Sequence, residues 1–302
     1  MKLGFFGDLH VTDKNPTNRK DIYLDEITRK MLWAYAGPFA DCDAVFAPGD
    51  VFDSFRANDY LKQHLIRIFL EGRKPVFVVY GQHDLRFHTS DKWNTPLKVL
   101  EAAEAAVCVS SSPVNFNGIY IYGASWGEDI PEIEDPDAFN VLVTHRMIIK
   151  DEKLWEAQTG HTMAQVLLRK NNFNLIVSGD NHQRFVDSYK GKWLVNMGSI
   201  MRTRIDQENH RPAVAVFDTD TQELKEFEIP IKPFSEVFKV EEAMREKEES
   251  EELNSFIEGL QSTEDIEGLD FRKNVEQWFS ENEEKTDPGV ISIMKEAMEW
   301  KK

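Results

Sequence analysis

Five short apolar runs in this sequence break off on residues that bind metals. "KLGFF" is followed by Gly7, Asp8 and His10, and "AVFA" leads into "PGDVFD", which carries Asp50 and Asp53. "VFVVY" meets Gly81 and then Gln82, His83 and Asp84. Further on, "NVLVT" ends on His145, and "NLIVS" passes through Gly179 to Asp180 and His182. Gly, Asn, Gln and Asp gather wherever strands end, so one such junction reads as a polar turn. Five of them ask for more than turn chemistry. In α/β sheets ligands occupy the crevice beyond the carboxyl ends of the strands, which is where these side chains would collect.

The five runs belong to a longer series. "AVCV" (106–109), "IYIYG" (119–123), "WLVN" (193–196), "AVAVFD" (213–218) and "LKEFEI" (224–229) also have strand character. Between strands, Ile22, Ile27, Met31 and Tyr35 recur at helical spacing, as do Leu61, Leu65, Ile68 and Phe69. Strands alternating with helices, followed by a strand-rich stretch, predict an α/β domain with more than one sheet. The two prolines of "IPIKPFSEV" (229–237) close that stretch, which sets a domain over 1–232. Beyond it, Leu253, Phe256, Ile257 and Leu260, then Phe271, Val275, Trp278 and Phe279, predict helices, and a last one follows "TDPG" over Val290–Trp300. Region 233–302 is thus a small acidic helical extension, which either caps its own domain or docks on a partner.

Charge and cysteine content narrow the class. A net charge of −17 counts against a stand-alone high-affinity DNA binder, which grips phosphates through a basic patch. Part of that excess is local, since residues 241–252 hold seven Glu against two basic residues. Two cysteines without CxxC spacing argue against a disulfide framework or a thiolate zinc site and suit a reducing compartment. The N-terminus has no basic, apolar leader, and no window reaches the apolar length of a membrane span, so a cytoplasmic location and no membrane partner are expected.

The order "GDLH … GDVFDS … GQHD … TH … GDNHQ" resembles the signature of the calcineurin-like metallophosphoesterases, D-x-H, G-D-x-x-D, G-N-H-D/E, H and G-H-x-H. "NMGSIMR" (196–202) is similar to a segment of one branch, the SbcD-type double-strand-break repair nucleases and their phage relatives. The resemblance implies an α/β/β/α sandwich of two mixed sheets and a site for two divalent ions. Asp8, His10, Asp50 and His182 would hold the first ion; Asp50 would bridge to the second, completed by Gln82, His145 and Asp180. Oxygen and imidazole ligands without thiolate suit Mn²⁺, Mg²⁺, Fe or Zn²⁺ rather than soft metals, and the resemblance to the SbcD-type branch implies Mn²⁺ first. Two such ions clamp a phosphoryl group and activate a water. His83 would protonate the leaving oxygen as general acid, with Asp53 on its other ring nitrogen.

Two positions depart from that signature. Gln82 replaces Asn and sets its amide oxygen one methylene further out. Asp180 replaces the first His of G-H-x-H, adds a negative charge, and favours hard cations such as Mn²⁺ or Mg²⁺. As a mere turn residue, Asp180 would leave the second site defective. "TGHTM" (159–163) offers another G-H, but His161 reads as the start of a helix. His64 falls within the Leu61–Phe69 helix.

Ser54 stands where phosphoprotein phosphatases of the superfamily carry Arg, which disfavours a phosphomonoesterase. Arg56, Arg86, His88 and Arg202 are the candidate substrate contacts, able to supply local positive potential. The leading expectation is a DNA exo- or endonuclease subunit that works with an SMC-like ATPase of SbcC type; a homodimer is left open. The alternatives are a free-standing phosphodiesterase on nucleotides or small diesters, and a degenerate, non-catalytic binding subunit.

Overall fold

The computed structural model describes residues 1–150 and 160–240, together with Arg245, Trp278, Asn282 and 286–292. The chain divides into two units, Met1–Val237 and Phe238–Lys302. The helices expected over 253–260 and 271–279 lie outside the described residues apart from Trp278, which is helical; of the last expected helix only 290–292 are described, and they are helical, with the helix beginning two residues earlier at 288.

In chain order the first unit runs β1 (Lys2–Phe5), α1 (Tyr23–Ala36), β2 (Ala44–Ala47), α2 (Asp59–Glu71), β3 (Val76–Val78), α3 (Pro96–Ala102), β4 (Val107–Cys108), β5 (Val114–Phe116) and β6 (Ile119–Ala124). It continues with β7 (Phe139–His145), β8 (Ile148–Ile149), β9 (Thr162–Met163), α4 (Ala164–Lys170), β10 (Leu175–Gly179), β11 (Phe185–Tyr189), β12 (Lys192–Asn196), β13 (Ala213–Asp218), β14 (Glu223–Glu228) and α5 (Phe234–Val237). One sheet has the order β14-β13-β1-β2-β3-β4 and a second β11-β12-β10-β7-β6-β5; both are mixed. All ten expected strands are present. Four more, β5, β8, β9 and β11, are short or lie at a sheet edge.

The period-two alternation of strands explains the layers. In β10, Leu175 and Val177 face the other sheet and pack with Phe5, Phe46 and Phe77, whereas Ile176 faces outward beside Leu167 and Leu168 of α4. Across the first sheet, Val45 and Val78 face outward against Ile27, Met31, Leu61 and Leu65 of α1 and α2. The result is an α/β/β/α sandwich. Helix α2 forms where its apolar positions call for it, and the Asn58 side chain caps it by accepting from the Leu61 amide at 3.0 Å. Ile22 does not join the buried face of α1; it precedes the first turn and is 61% exposed. His161 also departs from expectation, since two strand residues separate it from α4. His64 does lie in α2 and pairs with Thr28 Oγ1 at 2.7 Å.

Within their sheets β1, β2 and β3 run parallel, as do β7 and β10. The five metal-type junctions therefore leave the sandwich at common edges. Among the described residues no helix is long and apolar enough to cross a membrane.

Candidate metal centre

The junctions approach so closely that side chains would obstruct them. A Cβ on Gly81 would overlap the Asp50 carboxylate, and one on Gly179 would strike Asp8 and the His145 imidazole. The ligand-bearing residues themselves are held under strain: His10, Asp50 and Asp180 have φ of 47°, 44° and 82°, a region L-residues enter rarely and at a cost of about 1–3 kcal/mol.

Buried hydrogen bonds hold this geometry. Asp84 is fully buried and accepts from the amides of Val51 (3.2 Å), Phe52 (3.0 Å) and Gly81 (3.1 Å), pinning the loop after β2 to the loop after β3. Asn196 donates to the carbonyls of Asn181 (2.7 Å) and Gln183 (2.8 Å), which bracket His182. Asp8 receives the Asp180 amide on Oδ2 at 3.0 Å. Sequence reasoning assigns no role to Asp84 or Asn196, although both stand inside the quoted motifs.

All seven expected ligands are linked. His10 Nε2 and His182 Nε2 face each other at 3.1 Å, and His182 Nε2 lies 3.4 Å from Asp8 Oδ2. Asp50 Oδ2 is 3.7 Å from His10 Nε2 and 3.4 Å from His145 Nε2, so its carboxylate stands between two imidazoles. Gln82 donates to Asp180 Oδ1 at 3.2 Å, which leaves its own amide oxygen buried and unused. Asp8, His10 and His182 form one tight group of ligand atoms; His10, Asp53 and His83 form another.

The donor set fits metal ions. Asp8 Oδ1, Asp50 Oδ2, Gln82 Oε1 and His145 Nε2 are buried with no hydrogen-bond partner among the described residues. Such atoms cost about 1–3 kcal/mol each when unsatisfied, and four together mark a cation site. His145 Nδ1 meets the Pro48 carbonyl at 2.7 Å. A carbonyl only accepts, so Nδ1 carries the proton and Nε2 is the ligand atom.

The two halves of the site differ electrically. Burial pushes His10 down to about 3, and burial also lowers His182, so both rings are neutral with free lone pairs. Burial would lower His145 too, but the Asp50 carboxylate outweighs it and raises the imidazole to about 10. Burial acts to raise Asp50, and His145 in turn holds it below the usual carboxylate range. Burial raises Asp8 well above its ordinary value and takes Asp84 to about 7.

Asp53 acts differently from expectation. His83 Nδ1 bonds the Asp53 main-chain carbonyl at 2.7 Å, not its carboxylate. The carboxylate instead lies 3.6 Å from His10 Nδ1, behind a metal ligand. Asp53 therefore positions His83 through its main chain, with its carboxylate adjacent to His10. Among the expected substrate contacts, Arg56, Arg86 and His88 are exposed on the loops that carry Asp53 and His83. Arg202 is not available: it is buried, donates to the Lys232 carbonyl at 2.8 Å and lies over the Phe234 ring. Its neighbours Ile200 and Met201 are core residues and draw the segment inward.

No curated protein matches the chain. Among solved structures, an archaeal phosphodiesterase matches at 14% identity over 76% of this chain and 99% of its own, with a TM-score of 0.44. A 5'-nucleotidase precursor from Thermus thermophilus matches at 10% identity over 81% of this chain and 57% of its own, with a TM-score of 0.43. The family model of the calcineurin-like phosphoesterase superfamily domain matches residues 1–222, and the chain belongs to that superfamily.

Proposed function

We propose that this chain hydrolyses phosphodiester bonds in DNA, as a nuclease of SbcD type that uses two divalent ions, Mn²⁺ by preference. The observation that carries the reading is the Asp50 carboxylate set between His10 and His145, amid orphaned buried ligand atoms, with His83 alongside. Asp8, His10, Asp50 and His182 would hold one ion, and Asp50, Gln82, His145 and Asp180 the other. Bound there, the ions supply phosphoryl clamping and an acidified water. Oxygen-rich ligation at Asp180 and Gln82 supports the preference for a hard cation.

The remaining chemistry belongs to the protein. His83 Nδ1–H is committed to the Asp53 carbonyl, so Nε2 is the atom that delivers a proton to the leaving oxygen. Asp53 holds His83 through its main-chain carbonyl, and its carboxylate lies 3.6 Å behind His10 Nδ1. Ser54 in place of Arg supports a diester over a monoester substrate, and the "NMGSIMR" segment supports the nuclease branch. An SMC-like ATPase docking on the acidic extension would supply the DNA grip that a chain of net charge −17 lacks.

Metal content, linear-DNA cleavage and hydrolysis of bis-p-nitrophenyl phosphate on one preparation test this. The expected result is Mn²⁺-stimulated DNA cleavage that is lost in Asp50→Asn. Diester hydrolysis without DNA cleavage would instead establish a free-standing phosphodiesterase. Absence of both metal and turnover would establish a binding subunit.

A further inference from the structure

Phe87 follows His83 by four residues, is 62% exposed, and sits in a left-handed backbone with φ 51° and ψ 31°. His88 continues the strain at φ 56°. Such geometry is an outlier for a bulky side chain, and strain of this kind collects at ligand clamps. The Phe87 ring adds little to the core but packs on Phe55, with centroids 5.0 Å apart and planes tilted by 56°. Phe55 lies two residues, or about 7 Å of extended chain, beyond Asp53, whose carbonyl holds His83. The ring pair is thus carried by the same two loops that bring His83 and Asp53 together.

Two guanidinium groups dress the rings: Arg56 lies 5.2 Å over Phe55 and Arg86 lies 5.5 Å over Phe87. On the same loop His88 meets Trp126, with centroids 5.7 Å apart. Phe55 and Arg56 also wall an open groove of about 420 Å³ that reaches Asp53, which leaves room for chain beyond the rings.

We propose that Phe87, buttressed by the tilted Phe55 ring, is a stacking platform for one unpaired nucleobase on the leaving-group side of the scissile phosphodiester, with Arg56 and Arg86 on the adjoining phosphates. This rests on the nuclease reading and narrows its substrate to single-stranded or frayed ends. Bases inside a duplex are already stacked and cannot reach the rings. An acidic chain gains most from such a contact, because aromatic stacking holds nucleic acid without relying on phosphate neutralisation. The side follows from His83: the platform shares its loop, so the base held there belongs to the nucleotide whose oxygen His83 protonates.

The test compares single-stranded oligonucleotides that carry either a base or an abasic nucleotide on the leaving side. Phe87→Ala is expected to lower kcat/KM on the intact strand about 5- to 150-fold, the range of one lost stack, and to lower it much less on the abasic strand. Phe87→Trp is expected to restore activity, and Phe87→Leu, which keeps the apolar bulk, is not. In parallel, 2-aminopurine at that position should be quenched on binding to His83→Ala in Mn²⁺, and not to His83→Ala/Phe87→Ala. An equal penalty on both strands, or full activity in Phe87→Leu, would overturn the platform. Quenching without cleavage by the wild-type protein would overturn the nuclease reading and leave the platform standing. Cleavage with no quenching would do the reverse.

Discussion

The cradle and its rim break opposite rules. Inside, polar atoms of Asp8, Asp50, Gln82 and His145 are buried without hydrogen bonds among the described residues. Outside, the Phe87 side chain is 62% exposed, touched by Phe55 and the Arg86 guanidinium. The supports differ as much as the violations. The cradle is tied down by Asp84, Asn196 and the His145–Pro48 bond, all buried, whereas the rim consists of side chains resting on one another. Ligand positions for an ion tolerate little error, and the stacking face of a ring tolerates more. Each region is unfavourable at the place where the account puts a ligand, and that correspondence can be attacked from either side.

The largest effect is expected in the cradle. Asp50→Asn should abolish turnover and reduce bound metal below two equivalents, measured by elemental analysis; two retained ions would separate Asp50 from both. His83 lies between the regions. His83→Ala should keep both ions and lose about 10²–10⁴ on alkyl leaving groups, with p-nitrophenyl esters affected less. Equal loss on both ester types would remove His83 from the acid role. Asp53→Ala should cost about 10- to 100-fold in metal affinity, because its carboxylate backs His10 while the main-chain carbonyl still holds His83. A loss confined to slow leaving groups would place Asp53 with His83 after all.

A smaller effect concerns pH. In the metal-free fold His145 stands at about 10, above its ordinary 6.5. The stabilisation from its pair with Asp50 is complete below about pH 6.5 and is lost as pH rises through about 10. A metal must displace the Nε2 proton, so its affinity rises across the same window, by about 1.4 kcal/mol per pH unit at most. The gain in Tm from saturating Mg²⁺ should therefore be larger at pH 8.5 than at pH 6.5. A gain that does not change with pH would contradict the charged His145.

Much of the cradle was legible because its residue types are costly elsewhere. Asp, His and Gln after apolar runs have few other reasons to recur, and the glycines beside them record how closely the loops approach. Ten strands are legible from apolar runs. The β5–β6 hairpin was signalled by Asn117-Gly118, both at positive φ, and went unread because its first strand has only three residues. Strand β11 hid for a related reason: an edge strand is half exposed, and "FVDSY" carries little apolar signal. The Asp53 contact could not be read at all, since a sequence does not say whether a carboxylate or a main-chain oxygen will meet a neighbouring ring. Arg202 misled for the opposite reason, because an arginine near a motif looks like a ligand contact until its segment is seen to turn into the core. The platform was invisible because Phe55 and Phe87 are 32 positions apart and each, taken singly, is an ordinary apolar residue.

Anomalous scattering from crystals soaked in Mn²⁺ tests the central claim most directly. Two peaks are expected, one on either side of the Asp50 carboxylate, with His10 and His182 at the first and His145 and Gln82 at the second. A single peak among Asp8, His10 and His182, or one displaced to His10, Asp53 and His83, would contradict it.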